Sequence, residues 1–140
     1  MKYVAGFYLS EDSQKVVLLQ KARPPWQAGR YNAVGGKVEQ GETSSQAMIR
    51  EFQEETGVEV TTWEAFAELH GPDWDCTFFR AWGDVDKCQT IEAEEPVKVF
   101  DVENVKLMSG DVAISNVPWL LGMALNTRGG LKLPTRIEYL

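Results

Sequence analysis

The distribution of apolar residues predicts two strands at the start of the chain. Residues 3–9 and 15–20 are short runs rich in β-branched and aromatic residues, and a polar segment separates them. Runs of this kind are typical of strands, and the short polar connection favours a hairpin. A loop follows, and its turn-forming residues are Pro24, Pro25, Gly29, Gly35 and Gly36.

The hydrophobic pattern then changes to that of a helix. Between Thr43 and Thr56 there is no glycine or proline. Thr43 and Gln46 have the spacing of a capping box, in which side-chain and backbone groups of the first turn bond to each other. Gly57 is placed to end the helix, because glycine adopts the left-handed backbone conformation at little cost. We therefore predict a helix over about residues 44–56.

Strand composition returns after this helix. Segments 58–69, 76–82 and 97–102 are predicted strands, with breaks at Gly71-Pro72 and in the acidic loop 92–96.

A second helix is predicted near the end of the chain. Asn116 would be its N-cap and Pro118 would lie in its first turn, while Gly129-Gly130 follow its apolar run. The order of strands, helix, strands and helix predicts an α/β fold in which helices cover a mixed sheet.

Composition narrows the class of protein. A chain of 140 residues is long enough for one domain, and we expect a single domain over residues 1–140. Hydrophobic residues make up 44% and charged residues 25%, close to the averages of soluble domains. The formal net charge of -7 disfavours polymeric nucleic acid and anionic membranes as partners.

Cysteine and histidine usage points to a reduced compartment. Cys76 and Cys88 lack CxxC spacing and His70 is the only histidine, so neither a zinc site nor a disulfide framework is predicted. The apolar run 3–9 is too short to span a bilayer and lacks a cleavage-site pattern. We therefore expect a cytoplasmic protein.

Three carboxylates share one face of the first predicted helix. Glu51, Glu54 and Glu55 stand at about 0°, 300° and 40° around the helix axis. Like charges at this spacing destabilise an isolated helix by about a few tenths of a kcal/mol per pair, and a divalent cation would reverse that effect. Oxygen ligands without histidine or cysteine favour Mg²⁺ or Mn²⁺. A solvated acidic face is the structural alternative.

The surrounding residues resemble a known motif. Gly35-Gly36-Lys37 can bring backbone amides and one positive charge close to a phosphate. From Gly36 to Val58 the sequence GKVEQGETSSQAMIREFQEETGV resembles the Nudix box, with a match at every fixed position except Phe52, where members usually carry an aliphatic residue. The chain is thus identified as a member of the Nudix hydrolase family, which implies an α/β/α sandwich with a mixed sheet.

The resemblance implies roles for residues of the box. Glu51, Glu54 and Glu55 would bind Mg²⁺, with Mn²⁺ as an alternative, and the carbonyl of Gly35 would add a ligand. Arg50 would hold a carboxylate in place and Glu42 would support the metal site.

The general base is expected to be a carboxylate, since no Ser-His or Cys-His pair is evident. Glu51 is the first choice. Some Nudix enzymes take the base or a further metal ligand from the loop before a later strand, where this chain has Glu94 and Glu95. Glu95 is therefore a candidate metal ligand, and a solvated acidic turn is the structural alternative.

Substrate identity depends on residues outside the box. Arg30-Tyr31-Asn32 resembles the Arg-Trp-Asn of mammalian oxidised-purine triphosphatases, and Asn116-Val117-Pro118 resembles the Asn-x-Pro of the MutT-like members. An asparagine amide offers the donor and acceptor that a purine edge requires. Both asparagines also have ordinary structural explanations, as a loop residue and a helix cap. The candidates for substrate binding are Arg23, Asn32, Gly36, Lys37 and Asn116.

These features favour Mg²⁺-dependent hydrolysis of a nucleoside triphosphate, such as an oxidised purine deoxynucleotide, to a nucleoside monophosphate and pyrophosphate, a role in nucleotide-pool sanitation. The alternatives are an ADP-ribose or dinucleoside polyphosphate hydrolase, for which Pro72 is suggestive, and a non-catalytic Nudix-fold binding module. We expect a small nucleotide substrate, no nucleic acid polymer, no membrane, and a monomer or homodimer.

Overall fold

The computed structural model describes residues 1–126 and 133–139. Its strands and helices follow the chain in this order: β1 (Lys2–Ser10), β2 (Lys15–Gln20), β3 (Tyr31–Asn32), β4 (Val34–Lys37), α1 (Ser44–Thr56), β5 (Glu64–His70), β6 (Asp75–Gly83), β7 (Val97–Asp101), α2 (Val102–Lys106), α3 (Val117–Leu125) and β8 (Thr135–Glu138). A short 3-10 helix, Val85–Lys87, lies between β6 and β7.

The strands form a mixed sheet, as the sequence predicts. The main path runs β3-β2-β1-β6-β5-β8, while β4 also pairs with β1 and β7 also pairs with β2. The β1–β6 and β5–β8 pairs are parallel, and the other pairs are antiparallel. The predicted α/β class with a mixed sheet is confirmed.

Alternation along the central strands places a core on each side of the sheet. In β1, Ala5 and Phe7 belong to the core that also holds Val117 and Leu120 of α3. Tyr8, their neighbour in the same strand, belongs to the core beneath α1. Successive side chains of a strand point to opposite faces, so α1 and α3 cover opposite faces of one sheet.

Helix α1 has the predicted boundaries and the predicted caps. The Thr43 hydroxyl oxygen accepts from the Gln46 backbone N–H at 3.1 Å, and the Gln46 side chain accepts from the Thr43 N–H at 2.9 Å. Gly57 ends the helix with φ 78°. Phe52, the departure from the family pattern, is fully buried and makes edge contacts with Tyr8 and Trp63, so its change affects packing alone.

Other segments differ from the prediction. Strand β5 begins at Glu64, so the predicted strand over 58–69 is wrong for 58–63. The strand predicted to end at residue 102 ends at Asp101, because Val102 begins α2. The glycine-containing loop forms the short strands β3 and β4, and α2 and β8 were not predicted. The pair Gly129-Gly130 lies outside the described residues.

Close packing against β1 fixes the position of β4. Gly35 pairs with Ala5, and a Cβ atom at Gly35 would lie 2.7 Å from the Ala5 Cα and would clash with the carbonyl of Val4. Only glycine allows this approach. The strand therefore holds Gly36 at a fixed distance from α1, which packs on it.

Within residues 1–126 and 133–139, no helix is both long enough and apolar enough to cross a membrane.

Candidate active site

Arg50 connects α1 to the loop that precedes it. Its Nε and Nη2 atoms donate to the two carboxylate oxygens of Glu42 at 2.7 and 2.9 Å. The Glu39 N–H donates to the same carboxylate at 2.9 Å. The Arg50 guanidinium and this backbone bond lower the pKa of Glu42 to about 2. Glu42 is thus an ionised anchor for Arg50.

The same guanidinium contacts the carboxylates of α1. Nη1 of Arg50 donates to Glu51 Oε1 at 2.9 Å and to Glu54 Oε2 at 3.3 Å. Nη2 also donates to the Lys37 carbonyl at 3.0 Å. The bonds to Glu42 come first among the causes that hold the pKa of Arg50 above its usual value. Arg50 is therefore hydrogen-bonded to both carboxylates, which restricts their orientation.

Glu51 lies directly against Gly36. A Cβ atom at Gly36 would lie 2.5 and 2.6 Å from the two carboxylate oxygens of Glu51. The Glu51 side chain is 14% exposed. Burial raises its pKa, although Arg50 opposes the shift and Glu54 adds to it. The structure thus holds a largely buried carboxylate beside a backbone segment that has no side chain.

Glu55 is a half-buried carboxyl with an unsatisfied oxygen. Its Oε2 atom is buried and accepts no hydrogen bond from the residues that the structure describes. Burial raises the pKa of Glu55 to about 8, and the negative charges of Glu51 and Glu95 add to this, while Lys21 opposes it. A buried acceptor without a donor is costly, so this oxygen would gain from a cation or a hydrogen-bond donor supplied by a ligand.

The chemistry of these groups fits a hard divalent cation. Glu51, Glu54 and Glu55 supply carboxylate oxygens of the kind that Mg²⁺ prefers, and the orphaned oxygen of Glu55 is where a cation would relieve an unfavourable burial. In the described part of the chain, no three carboxylate, imidazole or thiol groups lie in an arrangement already able to hold a metal ion. Binding would therefore require at least one of these side chains to change its conformation.

The two acidic residues of the later loop differ in environment. Glu94 is exposed, whereas Glu95 is only 4% exposed. Glu95 Oε2 accepts from the Ala22 N–H at 2.9 Å and lies 3.4 Å from Lys21 Nζ. Its charge also acts on Glu55. Glu95, unlike Glu94, is thus buried among the groups of the candidate site, where the Ala22 N–H and Lys21 hold its carboxylate.

A cavity of about 850 Å³ opens next to Lys21 and Gly36, although its lining does not include Glu51, Glu54, Glu55 or Glu95. Gly35 and Gly36 line it at one place, and Asn32 and Asn116 line it as well. Much of the rest of the lining is aromatic or aliphatic, including Tyr3, Trp26, Leu69, Trp74, Phe78 and Ile114. A partly apolar cavity with a few polar groups is typical of a small-molecule site.

Only some of the residues predicted to bind substrate line the cavity. Arg23 lines the cavity, but its side chain is 59% exposed and pairs with Glu92 at 3.0 Å. Lys37 is exposed and is not among the cavity-lining residues; its carbonyl serves Arg50. Pro72 also lies outside the lining, although Asp73 is part of it.

Asn116 does not act as a side-chain cap. It holds the N-cap position of α3 in helical backbone conformation, and its side chain makes no capping hydrogen bond. Its Oδ1 atom is buried and has no hydrogen-bond partner among the described residues. The predicted N-cap position is therefore confirmed, but the expected side-chain capping bond is absent. Asn116 lines the cavity instead, and its Oδ1 atom remains without a donor.

Sequence reasoning missed most residues of this cavity, among them Lys21, Trp26 and Gln27. The Lys21 side chain is 18% exposed, which is low for a lysine. In the sequence it is only the residue after an apolar strand, and no local pattern marks it. Its proximity to Glu95 is a property of the fold.

Comparison with known proteins identifies the family. The sequence model of the NUDIX domain family matches residues 2–120. This match covers most of the chain, so the chain belongs to the Nudix family and is an enzyme of the pyrophosphohydrolase class.

Individual relatives differ in their named substrates. The CTP pyrophosphohydrolase of Escherichia coli (strain K12) is 36% identical over 114 residues, which are 79% of this chain and 82% of the relative. The 8-oxo-dGTP diphosphatase of the same organism is 31% identical over 66 residues, 47% of this chain and 51% of the relative.

A solved structure confirms the fold. The NUDIX domain of Shewanella oneidensis NrtR, complexed with ADP ribose, superposes with a TM-score of 0.74 at 21% identity and covers 89% of this chain and 85% of that one. NrtR has also been solved with a 27mer DNA. At this identity the likeness shows the fold alone.

Proposed function

We propose that this enzyme hydrolyses nucleoside triphosphates in the presence of Mg²⁺, releasing a nucleoside monophosphate and pyrophosphate. One observation carries the proposal. The glycines beside the carboxylate-bearing helix and the two asparagines open into the same cavity. A phosphate chain and a nucleobase can therefore occupy one continuous space.

The phosphate end of the substrate is assigned to β4 and α1. Gly36 allows the Glu51 carboxylate to lie against the backbone of β4, because no side chain intervenes, and Gly36 also lines the cavity where we place the phosphates. We assign the metal-holding role to Glu51, Glu54 and Glu55, with the carbonyl of Gly35 as a further oxygen and Glu95 as a further carboxylate. Bound Mg²⁺ would neutralise charge on the phosphoryl group and lower the pKa of a water molecule.

We assign the orientation of the general base to Arg50 and the role of general base to Glu51. Arg50, anchored by Glu42, keeps Glu51 aimed at Gly36 through its bond to Oε1. Oε2 of Glu51 accepts no hydrogen bond within the described residues, so it is free to accept the proton of the attacking water. Burial raises the pKa of Glu51, which makes its carboxylate a better base near neutral pH.

The base end is assigned to Asn32 and Asn116. The buried Oδ1 of Asn116 lacks a donor, and a nucleobase N–H would supply one. This favours a nucleoside triphosphate, including an oxidised purine, over a substrate without a base. We propose a small nucleotide as the partner, not a nucleic acid polymer, given the net charge of -7.

The products test the proposal directly. The enzyme is incubated with GTP, CTP, 8-oxo-dGTP and ADP-ribose in ¹⁸O-water with Mg²⁺, and the products are analysed by mass spectrometry. We expect substitution at phosphorus, with one ¹⁸O in the nucleoside monophosphate or in pyrophosphate, and an intact nucleoside. Orthophosphate as the primary product would contradict our assignment of how β4 and α1 bind the phosphates. Turnover of ADP-ribose alone would favour the alternative substrate class.

A further inference from the structure

Gln27 is directed inward from an otherwise exposed loop. Of residues 23–29, it is the one that is not exposed, and it lines the cavity. Its backbone is fixed on both sides, since its N–H donates to the Pro24 carbonyl at 2.9 Å and its carbonyl accepts from the Arg30 N–H at 3.0 Å. The side chain therefore enters the cavity from a defined position.

A chain of hydrogen bonds fixes the orientation of two amides. The Ala33 N–H donates to Asn32 Oδ1 at 2.8 Å. Because a backbone N–H can only donate, Asn32 must turn its oxygen toward it. Its Nδ2 atom then donates to Gln27 Oε1 at 3.1 Å. The oxygen of Gln27 is thus engaged, and its Nε2 group has no acceptor among the residues that the structure describes.

We infer that Gln27 determines base specificity by donating, together with Asn32, to a carbonyl oxygen of the nucleobase. The inference rests on the proposed function and specifies its substrate class. An amide nitrogen carries two hydrogens, so after Asn32 donates to Gln27 it keeps a second donor beside Nε2 of Gln27. A carbonyl oxygen has two lone pairs and accepts from both.

The other side of the cavity restricts the base further. Asn116 lines the cavity and its buried Oδ1 has no donor among the described residues, so a base that carries an N–H group would satisfy it. Guanine, cytosine, uracil and thymine each have a carbonyl oxygen and an N–H donor, whereas adenine has no carbonyl oxygen. The site therefore selects nucleotides of these four bases over adenine nucleotides, and guanine and cytosine serve as the test cases.

Two substitutions separate the roles of Gln27. Gln27→Glu keeps an oxygen that accepts from Asn32 but replaces the free donor by a second acceptor. Gln27→Met removes both groups and does not depend on the tolerance of a new charge. The matched control is Gln20→Met, because Gln20 Nε2 also bonds within this loop, to the Gly29 carbonyl at 3.1 Å, yet Gln20 does not line the cavity.

Binding of GMP, CMP and AMP to each protein is measured by calorimetry, and kcat/KM is measured for GTP and ATP with Mg²⁺. We expect the wild type and Gln20→Met to favour GMP and CMP over AMP. In Gln27→Glu and Gln27→Met this preference should fall by about 5- to 150-fold, which corresponds to about 1–3 kcal/mol for a lost base contact. Ratios between bases cancel any general effect of a new charge on phosphate binding.

An equal affinity of the wild type for AMP and GMP, or an unchanged ratio in both Gln27 variants, overturns the inference. A failure of the proposed function can be distinguished from a failure of this inference. If the mononucleotides bind with the expected ratios but no triphosphate yields a monophosphate and pyrophosphate, the specificity assignment stands and the reaction is wrong. If triphosphates are hydrolysed normally but the ratios do not depend on Gln27, the reaction stands and the inference is wrong.

Discussion

The Glu51 carboxylate packs directly against Gly36, at the position where any other residue would carry its Cβ atom. The ideal Cβ position of Gly36 lies 2.5 and 2.6 Å from the two carboxylate oxygens of Glu51. The contacted atoms are the far end of a flexible side chain, so an added methyl would displace the carboxylate and leave the backbone unchanged.

Gly36→Ala should therefore preserve the fold and impair the reaction. Misplacing a reacting group by about 1 Å can reduce the rate by about 100-fold, and we expect a fall in kcat of this order with a melting temperature close to that of the wild type. Gly122→Ala is the control, since nothing lies within 4 Å of its Cβ position in α3, and it should raise stability by about 0.5–1 kcal/mol. Unchanged turnover in Gly36→Ala would exclude a role for this contact.

Glu54→Gln should remove most of the turnover with little loss of stability. The Glu54 side chain is 59% exposed and its bond to Arg50 is long, at 3.3 Å, so its structural contribution is small. Steady-state kinetics with Mg²⁺ and thermal denaturation measure the two effects. Glu103→Gln removes a carboxylate that is 83% exposed and is the matched control. Full activity in excess EDTA, or an undiminished Glu54→Gln variant, would refute the metal-holding role.

Asn116→Ala tests base recognition. We expect KM for the preferred triphosphate to rise by about 5- to 150-fold, as for about 1–3 kcal/mol per lost contact. Hydrolysis of inorganic triphosphate, which has no base, should hardly change. Stability should also change little, because the side chain makes no capping bond. Equal losses on both substrates, with a lower melting temperature, would instead indicate a structural role.

Acid stability should depend on the Arg50–Glu42 pair. The pKa of Glu42 is lowered from its ordinary value of 4.5 to about 2. A lowered pKa in the folded state stabilises the protein above the unfolded-state value, and this contribution is lost as the pH falls through about 2. Thermal denaturation from neutral pH to about pH 2 should therefore show a steeper decline for the wild type than for Glu42→Gln.

Arg50→Gln should remove the larger part of this acid dependence, since the bond from Arg50 is the first cause of the shift and the bond from the Glu39 N–H remains. Parallel pH profiles of the wild type and both variants would show that the pair does not contribute in this way.

Local signals are sufficient to predict α1. The capping pair of Thr43 and Gln46, the terminal Gly57 and the spacing of the three carboxylates lie within one short segment, and the structure has the helix at the predicted residues. The contact between Arg50 and the box carboxylates follows from their positions on one helix and its preceding loop. These features depend little on the rest of the fold.

Long-range pairing explains the features that were not predicted. Glycine is poorly represented in strands, yet Gly35 and Gly36 belong to β4 because β1 supplies the hydrogen-bonding partners. Residues 58–63 have strand composition but lack a strand partner, since β6 pairs with β5 only from Glu64. Similarly, Gln27 and Lys21 become cavity residues through contacts with Asn32 and Glu95, which no sequence pattern encodes.

The placement of α1 and α3 on opposite faces of the sheet has an evolutionary consequence. In the proposed site, bond cleavage depends on a helix packed in one core, and base recognition depends on Asn116 beside the other core and on the loop that carries Gln27. Substitutions in that loop or at the start of α3 leave the packing of α1 intact. New substrate preferences can therefore arise by substitutions near α3 and in the Gln27 loop, while selection preserves the residues of α1 that carry the reaction.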